Sequence, residues 1–124
     1  MADKVESYRD LKVWQRAMAL AEVCYLETKD FPREEMFGLT SQIRRAATSI
    51  AANIAKGYGR EQTGTYVQFL RVSQGSLKEL ETHLLIVQRV KLVPGKELEP
   101  LLEMCQELGK MLRSLIRSLQ ERQT

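Results

Sequence analysis

Several residue types are scarce in this chain of 124 residues, which contains 3 prolines, 2 cysteines, 1 histidine and 6% aromatic side chains. It has no run approaching the roughly 18 apolar residues that a membrane-spanning helix needs. Charged residues fill its amino-terminal segment, unlike a signal peptide. Because 44% of the residues are hydrophobic, disorder is excluded and a core can form without metal or disulfide. We predict a single cytoplasmic domain over residues 1–124 with no membrane partner.

The two cysteines, Cys24 and Cys105, lie far apart in the sequence and do not form a Cys-x-x-Cys pair. Both fall on apolar helical stripes, where a free cysteine packs as a small hydrophobic residue. We predict reduced core thiols, and the alternative is a functional disulfide or redox pair.

The single histidine, His83, restricts the possible chemistry. No acidic residue stands three positions before it, so the Glu-x-x-His pair of carboxylate-bridged metal bundles is missing. A catalytic triad would have to use this histidine with no positioned partner visible in the sequence. The segment Gly57–Gly59 follows a helix and lacks a Walker lysine, so it is not a phosphate loop. We predict no enzyme activity, no metal and no cofactor, with His83 as a hydrogen-bonded structural residue.

Apolar residues recur at helical spacing in four segments, which are separated by short breaks at 29–33, 57–62 and 91–95. The third and fourth segments predict helices about 40 Å long, which suit alignment side by side. Short connections make successive helices antiparallel. We therefore predict an all-α fold, an up-down-up-down antiparallel four-helix bundle.

Proline and glycine suggest where the helices begin and end. Pro32 suits the first turn of the second helix, and Gly57 suits a left-handed cap at its carboxyl end. The third helix is predicted over Thr63–Val90, and the fourth from about Pro94.

The first two helices carry features that one bundle face does not require. Apolar residues from Leu11 to Tyr25 cover an arc of about 180° around the first helix. This arc is either sandwiched between neighbouring helices or meets another subunit. Ala47, Ala51, Ala52 and Ala55 make the second helix slim. These alanines have two interpretations. They allow either tight packing within one bundle or a dedicated contact with another subunit.

Basic residues concentrate in the middle of the chain, where residues 36–95 contain 8 basic and 3 acidic side chains. This asymmetry indicates a polyanionic partner, although a solvated helix face is the alternative. The predicted nucleic-acid-binding residues are Arg44, Arg45, Lys56, Arg60, Arg71, Lys78 and Arg89. On the fourth helix, Lys110, Arg113 and Arg117 follow three glutamates, an order that the helix dipole explains without a ligand.

Three stretches form a distinctive series: LTSQIRRAA at 39–47, SIAANIAKGYGR at 49–60 and GSLKELE at 75–81. The series resembles the bacterial four-helix bundle family of the 23S rRNA intervening-sequence proteins, which is related to accessory proteins of diversity-generating retroelements. The resemblance implies a homopentameric ring without known catalytic activity, with nucleic acid and a reverse transcriptase as partners of related proteins. Lys56 stands where the family commonly has Glu, which increases the local positive charge.

These observations lead to one main functional hypothesis and two alternatives. The main hypothesis is a non-enzymatic homo-oligomer, pentameric by resemblance, that binds RNA or DNA mainly through phosphates. The first alternative is a protein-interaction scaffold, for example for a reverse transcriptase or another polymerase, that does not contact nucleic acid. The second is an enzyme or a small-ligand bundle, which would require an internal polar cavity.

Overall fold

The structure is a computed structural model and describes residues 4–123. Within this range there is no β-strand, and two single turns of 3-10 helix, Tyr8–Asp10 and Arg33–Glu35, precede the first and second α-helices. The four α-helices are α1 (Lys12–Thr28), α2 (Leu39–Tyr58), α3 (Thr63–Val90) and α4 (Glu99–Gln123). In the described part of the chain, no helix is long and apolar enough to cross a membrane.

The helices form the predicted up-down-up-down four-helix bundle. Helix α1 packs on α2 and α4, and helix α3 packs on the same two neighbours. The antiparallel direction of α2 and α3 follows from their contacts, because Gly57 meets Phe69 whereas Ser49 meets Ser76 further along α3. The sequence therefore correctly predicted the fold class and the topology.

Leucine and isoleucine side chains fill the core at the predicted spacing. On α3, Leu70, Leu77, Leu80 and Leu84 are fully buried, and each such side chain stabilises the fold by roughly 1.5–3 kcal/mol relative to exposure. The polar residue in this row, Ser73, donates a hydrogen bond of 2.9 Å to the backbone carbonyl of Ile50 on α2. The hydroxyl group is therefore satisfied within the core.

Both cysteines are free and fully buried, as predicted. Burial raises the pKa of the Cys24 thiol and of the Cys105 thiol to about 12. Because the thiolate is the reactive form of cysteine, these residues act as core side chains at neutral pH.

Two helix starts differ from the prediction. The segment after Pro32 forms the 3-10 turn Arg33–Glu35, and α2 begins only at Leu39. Helix α4 begins at Glu99, later than the predicted start near Pro94. In both places the proline lies within the connection, several residues before the helix, because its fixed φ angle fits a turn as well as a first helical turn.

The predicted left-handed cap at Gly57 is wrong. Gly57 is a buried residue inside α2, and the helix ends at Tyr58. A Cβ atom at position 57 would lie 2.8 Å from Cβ of Phe69 and 3.0 Å from Cδ1 of Tyr66. The glycine thus allows α2 and α3 to approach each other closely. The left-handed cap occurs instead at Lys91, where φ is 52° after α3.

Lys96 ties the connection between α3 and α4 to the end of α1. Its Nζ lies 2.7 Å from Oε2 of Glu27 and 2.8 Å from Oδ2 of Asp30. It also donates a hydrogen bond of 3.0 Å to the backbone carbonyl of Glu27. These contacts anchor the connection between α3 and α4 to the carboxyl end of α1.

Candidate nucleic-acid interface

The predicted nucleic-acid-binding residues lie on several faces of the bundle. Lys78 lines a groove between α3 and α4, and Arg71 lies two helical turns earlier on the same face of α3. Arg45 and Lys56 are exposed on α2, and Arg89 is exposed in the last turn of α3. The structure therefore does not combine them all into one patch.

Arg44 and Arg60 pack against aromatic rings of the chain itself. The Arg44 guanidinium carbon lies 4.7 Å from the ring centre of Tyr25, and its Nε donates a hydrogen bond of 2.9 Å to Oγ1 of Thr28. The Arg60 guanidinium carbon lies 4.9 Å from the ring centre of Phe69. Arg44 thus connects α2 to α1, and Arg60 covers the end of the bundle where α2 and α3 meet.

We expect Arg44→Lys to lower the free energy of unfolding by about 1 kcal/mol, because lysine cannot both stack on Tyr25 and keep the hydrogen bond to Thr28. Nucleic-acid affinity should stay unchanged, since the positive charge is retained. Urea unfolding and fluorescence anisotropy measure the two quantities. Arg45→Lys, at the exposed neighbouring position, is the stability control. Lost affinity with unchanged stability would instead make Arg44 a ligand contact.

Helices α3 and α4 together present a row of cations that we call the basic groove. Gly109 of α4 lies beside Leu77 of α3, and Gln88 donates a hydrogen bond of 2.9 Å to Glu99. These contacts set the antiparallel register and bring the basic half of α4 beside the first half of α3. The residues of the basic groove are Arg71, Lys78, Lys110, Arg113 and Arg117.

The charges in the basic groove are largely uncompensated. All five side chains are exposed, and Lys78 forms their one ion pair with a described residue, at 3.4 Å from Glu81. A small cavity of about 120 Å³ is lined by Lys78, Lys110 and Arg113 together with the one carboxylate, Glu81. Each helix contributes cations over about 10 Å of its length, which matches about three phosphates of one nucleic-acid strand. The groove is therefore suited to a phosphodiester backbone.

The α4 cations were missing from the predicted site. Their spacing puts Lys110, Arg113 and Arg117 on one face of the helix, and this signal was visible in the sequence. The helix dipole was a sufficient explanation for a helix considered alone. Their position beside Arg71 and Lys78 depends on the register between α3 and α4, which the periodicity of either helix does not determine.

A second groove, between α2 and α3, is lined mainly by polar side chains. It has a volume of about 480 Å³, and we call it the polar groove. The Oγ atoms of Ser49 and Ser76 are 2.9 Å apart across it, and Asn53 donates a hydrogen bond of 3.0 Å to Oγ of Ser49. The lining residues are Gln42, Arg45, Ala46, Ser49, Ser76 and Glu79. The two hydroxyl groups are thus held in place before any ligand binds.

His83 lies next to the polar groove on α3. Its Nε2 is 3.5 Å from Oε1 of Glu79, and its Nδ1 is buried without a hydrogen-bond partner in the described chain. The side chain is 13% exposed, in agreement with a structural role. Among residues 4–123, no group of three or more histidine, cysteine or acidic side chains is placed to hold a metal ion.

The third groove lies between α1 and α2 and is apolar. It has a volume of about 710 Å³, and Trp14, Met18 and Tyr25 of α1 face Ala52 and Ala55 of α2 across it. Met18 is 45% exposed and Tyr25 is 43% exposed. The inner part of the wide apolar arc is therefore buried in the bundle, whereas its outer part lines this open groove. The alanines of α2 allow close approach from outside.

Comparisons with known proteins agree with this fold. A family model described as "23S rRNA-intervening sequence protein" matches residues 9–114. A solved structure of a protein with unknown function from the S23 ribosomal protein family of Bacteroides thetaiotaomicron VPI-5482 superposes with a TM-score of 0.77. The two sequences are 24% identical over 85% of this chain and 95% of that chain, so the likeness shows the fold alone. No curated protein is similar enough to this chain to count as a match.

Proposed function

This chain belongs to the family of 23S rRNA-intervening sequence proteins, and from its surfaces we propose that it is a non-enzymatic, self-associating bundle that binds nucleic acid. The observation that carries the proposal is the basic groove, where Lys78, Lys110 and Arg113 line one cavity. Helical spacing adds the exposed Arg71 and Arg117 to the same faces of α3 and α4. An accessible row of positive charge binds phosphates by releasing their counterions. Such binding depends on shape and charge more than on base sequence.

The proposal is tested by fluorescence anisotropy with a labelled structured RNA and a matched DNA duplex. We expect micromolar or tighter binding at about 50 mM salt and a steep loss of affinity at about 200 mM. The ligand that binds with the higher affinity identifies RNA or DNA as the preferred class of nucleic acid. Absence of binding at the lower salt concentration would contradict the proposal and leave the cations as a solubilising surface.

Self-association through the apolar groove is the second part of the proposal. An open groove lined by Trp14, Met18 and Tyr25 exposes apolar surface to water, which a second copy would bury. The chain also exposes an apolar side chain that suits such a groove, since Phe37 is 92% exposed in the connection between α1 and α2. The resemblance makes a pentameric ring the expected assembly. A monomer at tens of micromolar in light scattering would contradict this part.

The apolar groove also favours a second candidate function, a scaffold for a protein such as a polymerase. In this case the apolar groove binds the partner protein, and the basic groove does not bind nucleic acid. A specific protein that remains bound after nuclease treatment, together with no affinity for nucleic acid, would support this candidate over the first.

A further inference from the structure

We propose that the polar groove binds an unpaired guanine base, an inference that rests on the proposed binding of nucleic acid. The first reason is that residues from separate motif segments of the sequence meet in this groove. Gln42, Arg45 and Ser49 come from the motif segments at 39–60, and Ser76 and Glu79 come from the segment at 75–81. The fold brings these separate segments to one groove between α2 and α3.

The second reason is the placement of opposite charges. Arg45 of α2 and Glu79 of α3 line the same groove and are both exposed. No ion pair joins them within the described residues, although each has a long side chain. The one described hydrogen bond of the Glu79 carboxylate involves Oε1 and His83. The groove therefore offers a bidentate donor and a carboxylate acceptor that do not pair with each other.

Guanine is the base whose hydrogen-bonding groups match this pair. Its O6 and N7 atoms accept both hydrogen bonds of an arginine fork, and its N1–H and N2–H₂ groups donate to a carboxylate. Adenine places an amino donor where guanine has O6, so it would face the Arg45 guanidinium with a second donor. Cytosine and uracil lack the N7 acceptor. Guanine alone satisfies Arg45 and Glu79 together.

The remainder of the groove suits a nucleoside. The paired hydroxyl groups of Ser49 and Ser76, fixed by Asn53, offer donors and acceptors for a ribose or for the third edge of the base. The Ala46 methyl group provides an apolar contact. The volume of about 480 Å³ lies in the usual range of ligand sites, roughly 300–1,000 Å³.

Gly75 provides a path between the polar groove and the basic groove. It lies on the outer face of α3, between the side that carries Lys78 and the side that carries Glu79. It is exposed, and nothing lies within 4 Å of a Cβ atom built on it. A strand whose phosphates occupy the basic groove can therefore cross α3 here and place a base in the polar groove. Single-stranded regions are where proteins read RNA bases.

The test measures binding to the full chain by fluorescence anisotropy. The ligand is a fluorescein-labelled oligouridine of about ten nucleotides with one central guanosine, and it is compared with the same oligomer carrying adenosine or inosine at that position. The salt concentration is about 200 mM, which weakens the contribution of the phosphates. We expect the guanosine oligomer to bind about tenfold more tightly than the adenosine oligomer. Inosine should fall between them, because it lacks the N2 amino group that donates to Glu79.

Two variants distinguish base recognition from general attraction. Glu79→Gln should reduce the difference between guanosine and inosine, and Arg45→Lys should reduce the preference over adenosine, because lysine retains the charge and loses the two-pronged donor. Glu103→Gln, which removes a similarly exposed carboxylate from α4, should preserve the preference. Equal binding of all three oligomers, or a preference for guanosine over inosine that survives Glu79→Gln, would overturn this inference and leave the proposed function intact. Absence of binding by every oligomer at about 50 mM salt as well would contradict both.

Discussion

Alanine in place of Gly57 is expected to lower the free energy of unfolding by about 2 kcal/mol. The new Cβ atom would lie 2.8 Å from Cβ of Phe69 and 3.2 Å from the backbone oxygen of Tyr66. Neither atom can move by a rotamer change, so α2 and α3 must separate. Overpacking of this kind costs about 3 kcal/mol at its upper end, and the better helix propensity of alanine offsets about 1 kcal/mol. Urea unfolding followed by circular dichroism measures the difference.

Gly75→Ala is the matched control for this prediction. Position 75 is also inside a helix, but a Cβ atom there has nothing within 4 Å. The same substitution should therefore stabilise the protein by about 0.5–1 kcal/mol through helix propensity alone. Both variants share the contribution of helix propensity. The difference between their free energies of unfolding therefore reports the contact between α2 and α3. Equal effects of the two substitutions would show that this close contact is not a constraint on the fold.

Charge reversal in the basic groove is expected to have the largest effect on binding. In Arg113→Glu/Arg117→Glu, two phosphate contacts are replaced by repulsion. We expect the affinity for nucleic acid at about 50 mM salt to fall at least tenfold, and the slope of log K against log salt to become shallower by about 1.8 for duplex DNA or about 1.4 for a single strand. Anisotropy titrations at four or more salt concentrations give both quantities.

Lys29→Glu/Arg33→Glu provides a control with the same change in net charge. Both residues are exposed near the connection between α1 and α2, away from the basic groove. This variant should retain most of the affinity and the wild-type slope, because long-range attraction is screened beyond about 10 Å at ordinary salt. If the two double variants lose affinity equally, binding depends on net charge and the basic groove is not the site.

Much of the architecture was predictable from local patterns. The boundaries of α3 at Thr63 and Val90 and its buried leucine row follow from the spacing of apolar residues, because helical periodicity is a property of neighbouring positions in the chain. The placement of both cysteines in the core was predictable for the same reason. Gly57 was misread because a helix cap and a close contact between two helices both favour glycine. The choice between them depends on Phe69, which belongs to another helix.

The candidate sites, too, were predictable from the sequence only in part. The sequence shows which side chains share a helix face, and hence that Arg71 and Lys78 point one way on α3 and Arg113 and Arg117 point one way on α4. It does not show which faces become neighbours. That is set by the register and rotation of packed helices, which depend on how side chains of distant segments interlock. The basic groove, the polar groove and the open apolar groove all arise from such pairings, so they became visible only when the four helices were packed together.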